Sequence, residues 1–230
     1  MSATPSKRVV PRPGPKRVAP VGAPSHDTLA SGGNVYDKYG TSNPIERRLV
    51  AGFMANLEEL VERTGAREVH EVGCGEGEIS IRLAERGFRV RGTDAVPQVL
   101  EEARRRAAAA GVEIGFEATP VEKLAPDRHA AELVVCCEVL EHLEDPHRGL
   151  EVLAGLARPW LIASVPREPL WRALNLARLS YVGQLGNTPG HLSHWSKGGF
   201  ERFLGERLEV VEVRSPTPWT MVLCRVRERS

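Results

Sequence analysis

Glu71-Val72-Gly73-Cys74-Gly75-Glu76-Gly77 sets three glycines at alternate positions, behind an apolar run and ahead of a helical pattern. Glycines so spaced permit a tight turn and close approach of backbone to a ligand. Asp94 ends the next apolar run, 21 positions after Gly73. In doubly wound sheets an acidic side chain there accepts hydrogen bonds from a ribose. The ligand is therefore a nucleotide, either NAD or S-adenosylmethionine. The dinucleotide fingerprint is GxGxxG, with a pyrophosphate at the helix N-terminus. Here the third glycine comes one residue early, and Glu71 and Glu76 bracket the loop. Carboxylates repel a pyrophosphate but tolerate a sulfonium and an α-amino group. The loop favours S-adenosylmethionine.

Methyl transfer from a sulfonium is an in-line displacement, and a hydroxyl acceptor must also lose its proton. His142, His191 and His194 are candidate bases. His142 follows the apolar run Leu133–Cys137, and the other two lie in the Gly/Asn/Pro-rich stretch Gly186–Trp195. His142 and His194 are taken as the catalytic pair. Glu138, Glu141 and His142, at i, i+3 and i+4, could share a helix face. With His194 they would offer oxygen and nitrogen ligands to a divalent ion. No metal is assigned.

These residues need a frame. Asn43 suits an N-cap, and Ile45–Arg63 has helical spacing closed by Gly65. Val69–Val72, Phe88–Thr93, Val112–Ala118, Leu133–Cys137 and Trp160–Val165 read as strands. Ile79–Arg86, Val96–Ala110 and Pro146–Ala157 read as the helices between them. That alternation builds a parallel sheet from βαβ units. The end differs. After a short helix over Phe200–Leu204, the strands Leu208–Val213 and Trp219–Val226 are separated by a connection too short for a crossover. They must be antiparallel.

The glycine loop, Asp94 and the run Val135-Cys136-Cys137-Glu138-Val139-Leu140-Glu141-His142-Leu143-x-Asp145-Pro146 resemble the class I S-adenosylmethionine-dependent methyltransferases, from about residue 34 to 227. The resemblance implies an α/β fold: a Rossmann-like, doubly wound, seven-stranded sheet in the order 3-2-1-4-5-7-6 with the last strand antiparallel. It also implies site roles. Gly73, Cys74, Gly75 and Gly77 would form the cofactor loop, held by Glu71. Asp94 would bind the ribose, with Ala95 beside the adenine. Cys137 and Glu138 would face the methyl end. Asn43-Pro44 is similar to an Asn-Pro-x-Arg element of ubiquinone-type O-methyltransferases. Glu46 fills the usual arginine slot, so Arg47, or Arg48 beside it, would be the substitute contact for the cofactor carboxylate. Many members have Gly-Asp-Ala after strand three; this chain has Ala118-Thr119-Pro120, which leaves adenine packing to the backbone or Val121. Small-RNA 2′-O-methyltransferases use a Glu-x-x-Glu-His set similar to Glu138, Glu141 and His142, although many methyltransferases share this run without a metal.

Composition sets outer limits. The 230 residues carry 31 basic and 30 acidic side chains, a formal +1. Residues 1–33 hold +4 with six prolines, leaving −3 on residues 34–230. The first segment is expected to be disordered and the second to be one domain. An acidic body, in a chain with five lysines in all, disfavours a phosphate-tracking surface, so nucleic acid is not the expected partner. No apolar run approaches the ~20 residues of a spanning helix. Neither a secretory leader nor a cysteine framework is evident, which points to the cytoplasm. Residues 166–196 form an insertion whose apolar stretch, Leu170 to Tyr181, is expected to be a helical lid over a small-molecule acceptor, hydrophobic or lipid-linked. The expected reaction is methyl transfer to a small molecule, oxygen favoured over carbon, releasing S-adenosylhomocysteine. The competing readings are a metal-assisted RNA 2′-O-methyltransferase and a cofactor-binding module without turnover.

Overall fold

Asn43 caps the first described helix: its side chain accepts from the Ile45 N–H, and Pro44 takes the first helical position. In the computed structural model, residues 43–171 and 191–227 are described. The tail of residues 1–33 and most of the expected lid lie outside them. Helix α1 (Pro44–Thr64) ends at Gly65, whose φ of 67° suits glycine. Its apolar stripe, Phe53, Met54, Leu57, Leu60 and Val61, is buried.

Strand β1 (Glu68–Val72) leads into α2 (Glu78–Glu85), and β2 (Arg89–Asp94) into α3 (Pro97–Ala110). Then come β3 (Gly115–Ala118), the short α4 (Pro126–His129), β4 (Ala131–Cys137), α5 (Pro146–Leu156) and β5 (Ala157–Pro166). Helix α6 (Lys197–Gly205) precedes β6 (Leu208–Arg214) and β7 (Trp219–Val226). The sheet has seven strands in the order β3-β2-β1-β4-β5-β7-β6. β7 runs antiparallel to both neighbours, and the other pairings are parallel. The expected order and terminal hairpin are both present.

Boundaries differ where local chemistry intervenes. β3 starts at Gly115 rather than Val112, because the Val112 N–H returns to Ala107 O at 3.1 Å to close α3. That bond takes residue 112 out of the ladder. β5 begins at Ala157, which pairs with Ala131. Helix α4 was not expected; four residues are too few to show a helical period.

Alternation along β4 divides the core into two layers. Val134 and Cys136 pack with Leu150, Leu153, Phe200 and Leu204 on one face. Leu133 and Val135 pack with Phe53, Leu57, Leu83 and Met221 on the other. A strand buried on both faces reads as an unbroken apolar run, as Leu133–Cys137 does.

Candidate active site

Parallel strands deliver their carboxyl ends to one edge, and the glycine loop sits there between β2 and β4. The Gly73 and Cys74 N–H groups donate to Thr93 O at 2.7 and 3.0 Å. Gly73 has φ 75°, and a Cβ on it would fall 2.2 Å from Val139 Cγ2. The β4 tip is therefore the wall against which the loop is set. Gly75 is the opposite case: its φ is 51°, but nothing lies within 4 Å of its added Cβ. One side of the loop is thus clamped and the other is open.

Asp94 completes the open side. Its Oδ2 accepts from the Gly75 N–H and its Oδ1 from the Val96 N–H, both at 2.9 Å. The Thr119 N–H donates to Asp94 O at 2.8 Å. The carboxylate is oriented yet half-exposed. Each oxygen has a further lone pair to offer a ligand. Ala95, next along, is exposed.

The flanking carboxylates face elsewhere. Glu71 is 3% exposed and accepts from Ser80 Oγ, bracing β1 against α2. Glu76 pairs with Arg106 of α3. Both carboxylates thus have partners in the framework, whereas Asp94 lies at the open side of the loop. The Cys74 thiol is buried; burial first, then Glu71 and Asp94, push it above the usual thiol range. Val121 is 7% exposed, a core side chain. Arg47 is exposed on the first turn of α1. Among the described residues no hydrogen bond or ion pair ties it to the glycine loop.

At the end of β4, Cys137 and Glu138 are half-buried. The Glu138 N–H donates to Ser164 O at 2.9 Å, and its φ is 59°. Left-handed backbone at a residue with a side chain costs about 1–3 kcal/mol. That turn separates Glu138 from the single-turn 3₁₀ helix Leu140–His142, so Glu138, Glu141 and His142 do not share one helix face.

The returning end of the insertion meets this turn. The Leu192 and Ser193 N–H groups donate to Glu141 O at 2.8 and 3.1 Å, and the Glu168 N–H donates to Trp195 O at 2.9 Å. His191 is thereby brought to His142, rings 4.9 Å apart, with His194 6.3 Å from His191. His142 and His194 are exposed, whereas His191 is half-buried. Burial first, then the His142 and His194 rings, lower the His191 pKa to about 4. Trp171 stacks on His191 at 6.3 Å and meets Trp219 at 6.1 Å, and Trp219 meets Phe53 of α1 at 5.1 Å. An aromatic wall therefore runs from the histidines to the first helix.

Two features escaped the sequence reading. The central histidine of the cluster is His191, which was weighed but not taken as catalytic. The second feature is His70, fully buried within β1. Its Nδ1 donates to His129 O at 2.7 Å, so its Nε2 accepts from Thr93 Oγ1 at 2.9 Å. His70 thus fixes the residue whose carbonyl anchors the glycine loop. A histidine inside an apolar strand was the available signal.

Known proteins bear on this geometry. Residues 69–159 match a family described as a methyltransferase domain. A ubiquinone biosynthesis O-methyltransferase of Bordetella avium is 35% identical over 111 residues, 47% of this chain and 46% of that protein. The chain spans about half the length of the first such relatives. The homologue of Xylella fastidiosa is 30% identical over 200 residues, 80% of this chain and 78% of that protein. Magnesium protoporphyrin IX methyltransferase from Synechocystis PCC 6803, a structure with bound S-adenosylhomocysteine, superposes with a TM-score of 0.62 at 22% identity, covering 83% of this chain and 94% of that one. The sheet order with its antiparallel β7, the clamped glycine loop with Asp94, and an alignable length of 200 residues agree, and the chain belongs to the class I S-adenosylmethionine-dependent methyltransferases.

Proposed function

We propose that this chain transfers a methyl group from S-adenosylmethionine to a hydroxyl oxygen of a small-molecule acceptor. The observation that carries the reading is the half-open glycine loop: free space at Gly75 beside an Asp94 carboxylate oriented by two backbone N–H groups. The residues fit the cofactor. Asp94 can accept from ribose hydroxyls, and the Gly75 backbone can be approached closely because no side chain is in the way. Bound S-adenosylmethionine would supply an electrophilic methyl group.

The chain's own residues then hold the acceptor oxygen in line and take its proton. His142, His191 and His194 supply nitrogen bases within one cluster. Half-buried Trp171, backed by the core rings of Trp219 and Phe53, offers a flat apolar face that suits a hydrophobic acceptor. Relatives named as O-methyltransferases support oxygen over carbon.

Isothermal titration with S-adenosylhomocysteine tests the cofactor half. Wild type is expected to bind one equivalent. Asp94→Ala is expected to bind about 10- to 100-fold more weakly, the loss of hydrogen bonds to a charged acceptor. Equal affinity in the two proteins would remove Asp94 from the cofactor site. Trials with hydroxylated aromatic acceptors, read by mass of the product, test the oxygen half; methylation at carbon alone would overturn it.

A further inference from the structure

We propose that the Ser164 hydroxyl and the Trp219 indole N–H form a hydrogen-bonding pair that receives an uncharged carbonyl oxygen of the methyl acceptor. Ser164 is fully buried and Trp219 is 4% exposed. Among the described residues neither Ser164 Oγ nor Trp219 Nε1 has a hydrogen-bond partner. Buried polar atoms in folded proteins are nearly always paired, so two unpaired ones on one face call for an occupant.

Strand register puts both on that face. Ser164 stands opposite Met221 of β7, and Trp219 comes two positions before Met221. Diagonal neighbours of this kind lie about 7–8 Å apart, within reach of an aromatic side chain. On its other side Ser164 stands opposite Cys137, the half-buried last residue of β4. Thr220 Oγ1 is also buried without a partner among the described residues, but alternation turns it to the opposite layer. The backbone holds the pair in place. The Glu138 N–H donates to Ser164 O at 2.9 Å, the Trp219 N–H to Pro216 O at 2.6 Å, and the Arg167 N–H to Pro218 O at 3.0 Å. Ring contacts then join the pair to the histidines: Trp219 meets Trp171, and Trp171 stacks on His191. Trp171 is the most exposed of the rings Trp171, Trp219 and Phe53, so an acceptor enters past it. A molecule with its reacting hydroxyl at the histidines and its ring along Trp171 directs its far end to Ser164 and Trp219.

The chemistry of the two groups selects the oxygen. The indole only donates, and the hydroxyl can donate beside it. Two donors suit an oxygen with two lone pairs. The layer around them contains Phe53, Ile162, Met221 and Trp171, all apolar. A carboxylate placed there would give up its hydration for two neutral donors, whereas a carbonyl is uncharged and accepts both bonds. The inference rests on the proposed methyl transfer and assigns the end of the acceptor remote from the reacting hydroxyl.

The test titrates the full chain, saturated with S-adenosylhomocysteine, with two phenols of matched size, 4-hydroxyacetophenone and 4-ethylphenol, which differ by the carbonyl oxygen. Wild type is expected to bind the ketone about 10-fold more tightly, the effect of two neutral hydrogen bonds. Ser164→Ala and Trp219→Phe should each cut that preference about 3-fold and leave the affinity for 4-ethylphenol unchanged. Trp219→Phe keeps a ring against Phe53; if it fails to fold, Ser164→Ala decides by itself. In urea denaturation of the free chain Ser164→Ala should be at least as stable as wild type, since it removes an unpaired hydroxyl. A lower urea midpoint would show that an ordered water alone satisfies the hydroxyl, and would overturn the pair. Equal affinity of wild type for the two phenols, binding of neither, or an undiminished preference in Ser164→Ala would overturn it as well. Failure to bind S-adenosylhomocysteine would instead sink the methyltransferase reading, and a ketone preference measured without it would leave the pair standing.

Discussion

At the scale of single residues, the glycine loop separates two constraints that the same residue type can serve. Gly73 and Gly75 both have positive φ, but Val139 presses on the first and space surrounds the second. Alanine at φ near +60° costs about 1–2 kcal/mol. Gly73→Ala adds overpacking against Val139, so it should lose about 2–5 kcal/mol in total. Gly75→Ala should lose only the strain, about 1–2 kcal/mol. Its methyl group, however, occupies the open side, and S-adenosylhomocysteine affinity should fall more than stability does. Urea denaturation alongside calorimetric titration distinguishes the two. Equal destabilisation by both would show that the Val139 contact has no energetic weight. Glu138 belongs at this scale too. Its left-handed backbone at the tip of β4 is a local cost paid beside the chemistry, as strained residues often are.

At the scale of elements, His70 links β1, β2 and the end of α4 through its two ring nitrogens. Burial outweighs the favourable bond to His129 O and lowers its pKa to about 4 from 6.5. Between those values the unfolded chain binds more protons than the folded one, so stability rises with pH across the window. It is lost as pH falls from about 6.5 to 4, by about 3 kcal/mol for this one group. His191 adds a slope of the same sign. Urea denaturation at pH 4.5, 5.5 and 7 should show the trend, and His70→Gln should flatten it. A wild-type stability that does not change over this range would mean that His70 is solvated. Most of the elements were legible in sequence because helix and strand periods, caps and glycine stops are local. Val69–Val72 and the terminal hairpin needed no distant information. The start of β3 was misread because a helix-closing bond at Val112 competes with strand character, and periodicity does not register that competition. Helix α4 is shorter than the period that would reveal it.

At the scale of the whole molecule, insertion of β7 between β5 and β6 closes the sheet over two core layers, and this decides which thiols are reactive. All four cysteines are free, and Cys74, Cys136 and Cys224 are buried. Burial pushes Cys224 up to about 12 and Cys136 well above the usual range. The thiolate is the reactive form. Native protein should therefore release one fast equivalent with a disulfide reagent, from the half-buried Cys137, and the other three only on unfolding. Because Cys137 ends β4 beside the proposed site, S-adenosylhomocysteine should slow that equivalent. Fast labelling that the ligand leaves unchanged would place the cofactor elsewhere. Among the described residues no helix is long and apolar enough to cross a membrane.

The sequence by itself determined the elements, the strand-ending glycine loop and its acidic partner, because each depends on residues close together in the chain. It could not assign the side-chain partners. Glu71 and Glu76 read from the sequence as carboxylates bracketing the loop, and only the fold shows that one bonds Ser80 of α2 and the other pairs with Arg106 of α3. Glu138, Glu141 and His142 read as one helix face, yet a single positive φ divides them. His191 lies 49 positions beyond His142, and only the return of the insertion onto the β4 turn brings the two rings together. Backbone pattern is written in local spacing, whereas a site assembled from separate segments depends on sheet order and on where each loop comes back, which only the folded chain decides.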